Sequence, residues 1–262
     1  MLFSDNTRYL YQRPPLIEVI CQLRFPSIPS IGIAVPTQFQ EVIQNDFPKY
    51  MTKQEQQPPK LVNPGTPQAK LEPQPPITNY NFVSNDGKWK VNLTSNFIAL
   101  STVNYTRWED FAQKLDTVLA AFIQIYQPEH FQRIGLRYVN AVSRSRLGLQ
   151  DELWDDLIET PFIGMLDQPD VDEKLVGKCA LDVEMSLGEN NRLKLHAGPG
   201  RLNVKDPEPK FILDGDFSVM GKNIPADQIA RNLNGLHDYA VRLFNSATTQ
   251  ELKDAMGPTP LN

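Results

Sequence analysis

Two stretches of this chain repeat apolar residues at intervals of three and four, and each follows runs that alternate with a period of two. Trp108, Phe111, Leu115, Val118, Leu119 and Phe122 share one helical face, as do Ile229, Leu233, Leu236, Ala240, Leu243 and Phe244. The spacing predicts helices over 107–126 and 226–246, and stripes of that width must be buried against another element. Alternating runs at 88–94 and 97–103, joined around Ser95 and Asn96, predict a hairpin; further strands are expected at 131–142, 179–187, 192–197 and 210–220. Runs of strands closed by one long helix argue for an α+β fold, mainly antiparallel, and against a doubly wound parallel sheet. Hairpin followed by long amphipathic helix occurs twice, at 88–126 and 192–246, as a repeat of pattern rather than of residue identity. We therefore expect a first α+β unit over 1–142 and a second over 143–262, sharing or abutting their sheets.

Ahead of the first helix, Ile17, Val19, Cys21, Leu23 and Phe25 alternate with Glu18, Gln22 and Arg24, the pattern of a strand with one wet face. Phe39, Val42, Ile43 and Phe47 follow at helical spacing until Pro48 stops them. Pro48, Pro58, Pro59, Pro64, Pro67, Pro73, Pro75 and Pro76 crowd the next segment. Each ring removes a backbone donor and restricts its predecessor, so 48–76 is expected to be an exposed, extended insertion without helix or central strand. Thr106 with Glu109, and Thr248 with Glu251, have the spacing of capping boxes. A short helix is expected at 151–158, a hairpin turn at Gly188-Glu189-Asn190-Asn191, and a simple turn at Gly198-Pro199-Gly200. Gly257-Pro258 should end a last short helix.

Composition excludes several classes of function. With 26 Lys plus Arg against 31 Asp plus Glu, the net charge of -5 disfavours a broad electrostatic grip on nucleic acid or on an anionic membrane. No apolar run approaches the roughly 20 residues that cross a bilayer, and MLFSDNTRYLYQ lacks the basic and apolar regions of a secretion signal, so a cytoplasmic location is expected. Cys21 and Cys179 are too few for a disulfide framework and read as small buried hydrophobes. His130, His196 and His237 are far apart, without zinc-ligand spacing, and neither G-x-S-x-G, a phosphate-binding glycine loop nor H-E-x-x-H occurs. His237, beside Leu233 and Leu236, reads as a packed side chain, and Trp89, Trp108, Trp154, Tyr138 and Tyr239 as core or interface aromatics.

The chemistry is written on the polar sides of the strands. Lys88 with Lys90, Arg133 with Arg137, Asp182 with Glu184, Arg192 with Lys194 and His196, and Asp214 with Asp216 recur at even spacing, so each set shares a strand face. If the faces curl inward, the basic residues Arg133, Arg137, Lys88, Lys90, Arg192, Lys194 and His196 would hold an anionic ligand, and Asp182, Glu184, Asp214 and Asp216 would hold Mg2+. That lining would resemble the triphosphate tunnel enzymes, but their E-x-E-x-K pattern is broken here, where Ile20 and Gln22 follow Glu18. The plainer reading is an open sheet in which Asp182 and Glu184 face Arg192 and Lys194 across a hairpin. Asp214-Gly215-Asp216 fails the spacing of a calcium loop.

The segment PPLIEVICQLRF at 14–25 resembles the opening motif of a sporadically distributed family of uncharacterised bacterial proteins of similar length. NFIALSTVNYTRWEDF, RIGLRYVN, LHDYAVRLF and TTQELKDAMG resemble further patches of that family, so the resemblance spans nearly the whole chain. These motifs carry no chemistry and transfer no catalytic residue. The resemblance implies a bacterial protein from a mobile or defence-linked gene. The expected function is that of a non-catalytic binding or assembly protein without cofactor, working with a protein partner or as a homo-oligomer. The alternative is a metal-dependent polyphosphate or nucleotide phosphohydrolase using Mg2+ in a charged sheet lumen.

Overall fold

The computed structural model describes residues 3, 5–188, 190–206 and 208–261. Within them the strands are β1 (Tyr9–Tyr11), β2 (Leu16–Arg24), β3 (Lys49–Glu55), β4 (Lys60–Val62), β5 (Lys70–Glu72), β6 (Ile77–Val83), β7 (Trp89–Leu93), β8 (Phe97–Thr102), β9 (Phe131–Val142), β10 (Leu181–Ser186), β11 (Asn191–Gly200), β12 (Lys210–Ile224) and β13 (Pro258–Pro260). The helices are α1 (Pro29–Ile33), α2 (Thr37–Ile43), α3 (Trp108–Tyr126), α4 (Arg144–Leu147), α5 (Trp154–Leu157), α6 (Thr160–Ile163), α7 (Ile229–Ala247) and α8 (Gln250–Met256). The chain is α+β, and its sheets are antiparallel, as the strand pattern led us to expect.

Nine strands make one sheet in the order β10-β11-β12-β9-β2-β8-β7-β6-β3. It runs without a break across residue 142, because β9 pairs with β2 on one side and with β12 on the other. Each central strand obeys the period of two. Val19, Cys21 and Leu23 on β2, Ile134, Leu136 and Tyr138 on β9, and Leu213, Phe217 and Val219 on β12 are all buried and share one face. Both long helices cover that face. Phe122 of α3 packs on Phe25, with ring centroids 4.8 Å apart, and Phe111 packs on Trp89 at 5.8 Å. On the α7 side, Gly215 of β12 permits the close approach: a Cβ there would sit 3.2 Å from Leu243 Cδ2.

The proline-rich segment departs from the expected plain insertion. It contains no helix, but residues 49–55 form edge strand β3, paired with β6 from Lys49 opposite Val83 to Glu55 opposite Ile77. The prolines flank this strand without entering it, so its donors are intact and its outer edge is the natural place for the sheet to stop. Beyond it, β4 and β5 pair only with each other as a small protruding hairpin, Leu61 opposite Leu71. Strand β6, between the last proline and the expected hairpin, was not legible as a separate strand.

Helix caps also differ from the sequence pattern. Neither side chain of the Thr106–Glu109 pair caps α3: Thr106 Oγ1 donates to Asp110 Oδ2 at 2.8 Å, and Glu109 is drawn away by Arg8. At α8 the cap is Thr249, whose hydroxyl accepts from the Leu252 amide, while Thr248 Oγ1 turns back to the Phe244 carbonyl. The expected helix at 151–158 shortens to α5, and Gly198-Pro199-Gly200 extends β11 against β12 instead of turning. In the β10–β11 turn, Glu189 lies outside the described residues; its flanks close with Asn191 N donating to Gly188 O at 2.9 Å. The first and last strands, β1 and β13, pair with each other.

Leu115 is 2% exposed and Leu236 is fully buried. Leu115→Ala and Leu236→Ala should each cost about 2 to 5 kcal/mol in urea denaturation. Losses under about 1 kcal/mol in both would mean that the stripes do not carry the packing.

Candidate functional site

The face of the sheet turned away from α3 and α7 collects the charges. Direct cross-strand partners lie on one face, and they run Glu184, Lys194, Asp216, Arg137, Ile20, Ser101, Lys90 from β10 to β7. A neighbouring row runs Asp182, His196, Asp214, Val139. Thus Arg133, Arg137, Arg192, Lys194, His196, Asp182, Glu184, Asp214 and Asp216 come together over four strands. Lys90 shares the face three strands from Arg137, about 14 Å away at ordinary strand spacing. Lys88 lies before β7, where its Nζ reaches Asn104 Oδ1 at 3.4 Å.

Within the group, the charges engage one another along diagonals. Arg137 grips Asp214 side-on, its Nε donating to Oδ1 at 2.7 Å. Arg133 reaches Asp216, its Nη2 donating to both carboxylate oxygens at 2.7 and 2.9 Å. That reach crosses Gly135, and a Cβ on Gly135 would collide with the Arg133 guanidinium. Gly135 therefore serves the ion pair, which only a bare backbone lets lie flat on the sheet. Lys194 Nζ donates to Glu184 Oε1 at 2.6 Å, and His196 Nδ1 lies 2.8 Å from Asp182 Oδ1. Of the expected facing set, Glu184 lies opposite Lys194, whereas Asp182 faces His196 and Arg192 faces Ser186.

Two hollows flank the Glu184–Lys194–Asp216 row. One, of about 350 Å3, is lined by Arg137, Asp182, His196 and Asp214; the other, of about 690 Å3, by Gln22, Arg24, Arg133, Arg192 and Ser218. Arg133 and Arg137, two of the residues expected to hold an anion, are the cations of this patch most firmly held by carboxylates. Neither Arg24 nor Arg192 makes an ion pair among the described residues, so the larger hollow has the freer positive charge. Among the described residues no group of three or more His, Cys, Asp or Glu is placed to hold a metal ion, since Asp182, Glu184, Asp214 and Asp216 each face a basic partner.

The opposite face of β9 borders a third cavity, which the sequence reading missed. It measures about 300 Å3 and lies between β9, the start of α3 and α7, under the β1–β13 strap. Tyr138 Oη is 2.9 Å from His237 Nδ1, and the Trp108 indole stacks on the imidazole, centroids 4.8 Å apart and planes at 9°. At the edge, Arg8 donates to both Glu109 oxygens at 2.8 and 3.1 Å. Burial pushes His237 down to about 4, aided by the nearby Arg8 charge and opposed by Glu109. Burial likewise raises Tyr138 far above the ordinary phenol range and Tyr105 to about 12, while the Arg8 bonds hold Glu109 down to about 2. The helical spacing of His237 predicted its burial; its partners come from elements remote in sequence, Tyr138 on β9 and Trp108 at the start of α3, so nothing local signalled the cavity.

No protein-family model matches the chain, and no curated protein matches it. No described helix is long and apolar enough to cross a membrane.

Two outcomes follow from these geometries. A double-mutant cycle on Arg133→Ala and Asp216→Ala should return a coupling of about 1 kcal/mol, which Gly135→Val should erase while leaving the fold intact. For His237, the folded value lies below that of a free imidazole, so the unfolded chain protonates first as pH falls. The stability it contributes is full above about pH 7 and is lost towards pH 4. Denaturant titrations should show about 2 kcal/mol lost between about pH 7.5 and pH 5, a slope that His237→Phe flattens. An unchanged slope in that variant would show His237 to be accessible to protons in the fold.

Proposed function

We propose that this chain is a non-catalytic binding and assembly protein whose charged sheet face receives a protein surface. The in-sheet pairing of the charges carries this reading. Arg133 and Arg137 are held by Asp216 and Asp214, and Lys194 by Glu184, so the carboxylates that would coordinate Mg2+ and the cations that would neutralise phosphates are already engaged. Over β9, β10, β11 and β12 four cations (Arg133, Arg137, Arg192, Lys194) stand against four carboxylates (Asp182, Glu184, Asp214, Asp216), with Arg24 and Lys90 beyond them on β2 and β7. A balanced, alternating patch suits another protein surface, which carries both signs, better than a nucleic acid or polyphosphate. Arg24 and Arg192 in the larger hollow favour a partner that inserts a carboxylate there. The protruding β4–β5 hairpin supplies a second contact, since Leu61 and Leu71 are 52% and 64% exposed and lie opposite each other. A second copy of the chain is the first partner to test. The resemblance to the sporadically distributed bacterial family accords with this reading, because its motifs carry no catalytic residues; with it comes the proposal of a defence-linked or mobile-element setting in the cytoplasm.

Sedimentation velocity should show concentration-dependent association that Leu61→Asp with Leu71→Asp weakens by at least about tenfold, with the fold unaltered. Incubation with Mg2+ or Mn2+ and a panel of nucleoside triphosphates and inorganic triphosphate should release no phosphate. Metal-dependent release that disappears in an Asp182→Ala, Glu184→Ala variant would overturn the non-enzyme reading in favour of the phosphohydrolase.

A further inference from the structure

The cavity on the helix side of β9 lies across the sheet from the charged patch and does not depend on the reading of that patch. Its walls are aromatic: Tyr11, Tyr105, Trp108, Tyr138 and Phe244 all line it. Its volume of about 300 Å3 is at the small end of ligand pockets. Two polar atoms of lining residues, Tyr11 Oη and His237 Nε2, are buried with no hydrogen-bond partner among the described residues. Native folds rarely leave such atoms unsatisfied, and a guest that bonds one of them recovers the desolvation cost. Charge, by contrast, is already satisfied at the rim, because Arg8 is committed to Glu109 and Arg107 to Asp110. An ionic guest would enter an apolar space with no unpaired counter-ion to meet it.

We propose that this cavity is a binding site for a small, uncharged, planar aromatic molecule carrying one hydrogen-bonding ring group, which stacks among the aromatic walls and bonds His237 Nε2. Two arrangements of the Tyr138–His237 pair are consistent with its geometry. If Tyr138 donates to Nδ1, Nε2 carries the hydrogen and selects an acceptor; if Nδ1 donates to Tyr138, Nε2 is bare and selects an N–H donor. Because burial keeps the ring neutral, one of these roles holds throughout the neutral pH range.

Three bicyclic probes of similar shape separate the outcomes: quinoline offers an acceptor, indole a donor, and naphthalene neither. Titration calorimetry and saturation-transfer NMR on the full chain should show either quinoline or indole binding at least about tenfold more tightly than naphthalene. His237→Phe should erase that difference while naphthalene binding persists. Val241→Trp, at a partly exposed position lining the cavity, should abolish binding of all three, with circular dichroism reporting the fold; Ala240→Leu fills the same space should that variant be unstable. Equal binding of the three probes, no binding by any of them, tighter binding of the anionic aliphatic decanoate, or binding that survives both filling variants would each overturn the proposal. Failure of the assembly experiment would leave it standing, since the two faces are tested by different residues.

Discussion

The structure depends on the register of β9. This strand sits near the middle of the sheet, hydrogen-bonded to β2 and β12, and from Arg133 to Tyr138 its side chains alternate between two environments. Ile134, Leu136 and Tyr138 go under the helices; Arg133, Gly135 and Arg137 go to the charged face. A slip of one residue would drive two arginines beneath α7 and expose the core, a cost far beyond the stability of a domain. Both candidate sites hang on this strand, one on each face. The ion-pair ladder needs Arg133 and Arg137 four residues apart on one face of this strand, and the aromatic cavity needs Tyr138 within reach of His237 on α7.

Charge pairing within the sheet explains how the polar face can be so heavily ionised. Exposure grows outward, from 18% for the Arg133 side chain near the sheet centre to 73% for Glu184 at the β10 edge. The inner pairs are screened less by water and matter more; the outer ones are worth little individually. On the proposed reading their collective effect would be orientation, since a partner with complementary alternation would dock in one register and meet like charges in the others. The freer arginines, Arg24 and Arg192, border the larger hollow, where an incoming carboxylate would find both.

The cavity has a different physics. Its polar groups are few, and burial moves their proton affinities away from neutrality: His237 falls, while Tyr105 and Tyr138 rise. All three remain neutral over a wide pH range, giving an uncharged wall with directional hydrogen bonds. Closure comes from the chain ends, because the β1–β13 pair bridges residues 9 and 260 and Arg8 reaches back to Glu109 on α3.

By itself the sequence determined the elements whose pattern is local. The stripes on α3 and α7, the alternation on β2, β9, β11 and β12, and the absence of helix between Pro48 and Pro76 are all consequences of which neighbours are apolar or lack an amide proton. Cross-strand charge neighbours such as Glu184 and Lys194 were also legible, because a hairpin turns sequence distance into register. The rest was decided by tertiary structure. Strand β3 is a strand only because β6 offers it an edge, for its own residues are mostly exposed and polar. Thr106 fails as a cap because its hydroxyl turns to Asp110 while Arg8, about a hundred residues from Glu109, takes that carboxylate. His237 could be recognised as buried from its helical position, but whether it meets Tyr138, Trp108 or nothing depends on how α7 crosses β9. That crossing is set by side-chain packing summed over the whole sheet, a quantity no local window of residues contains.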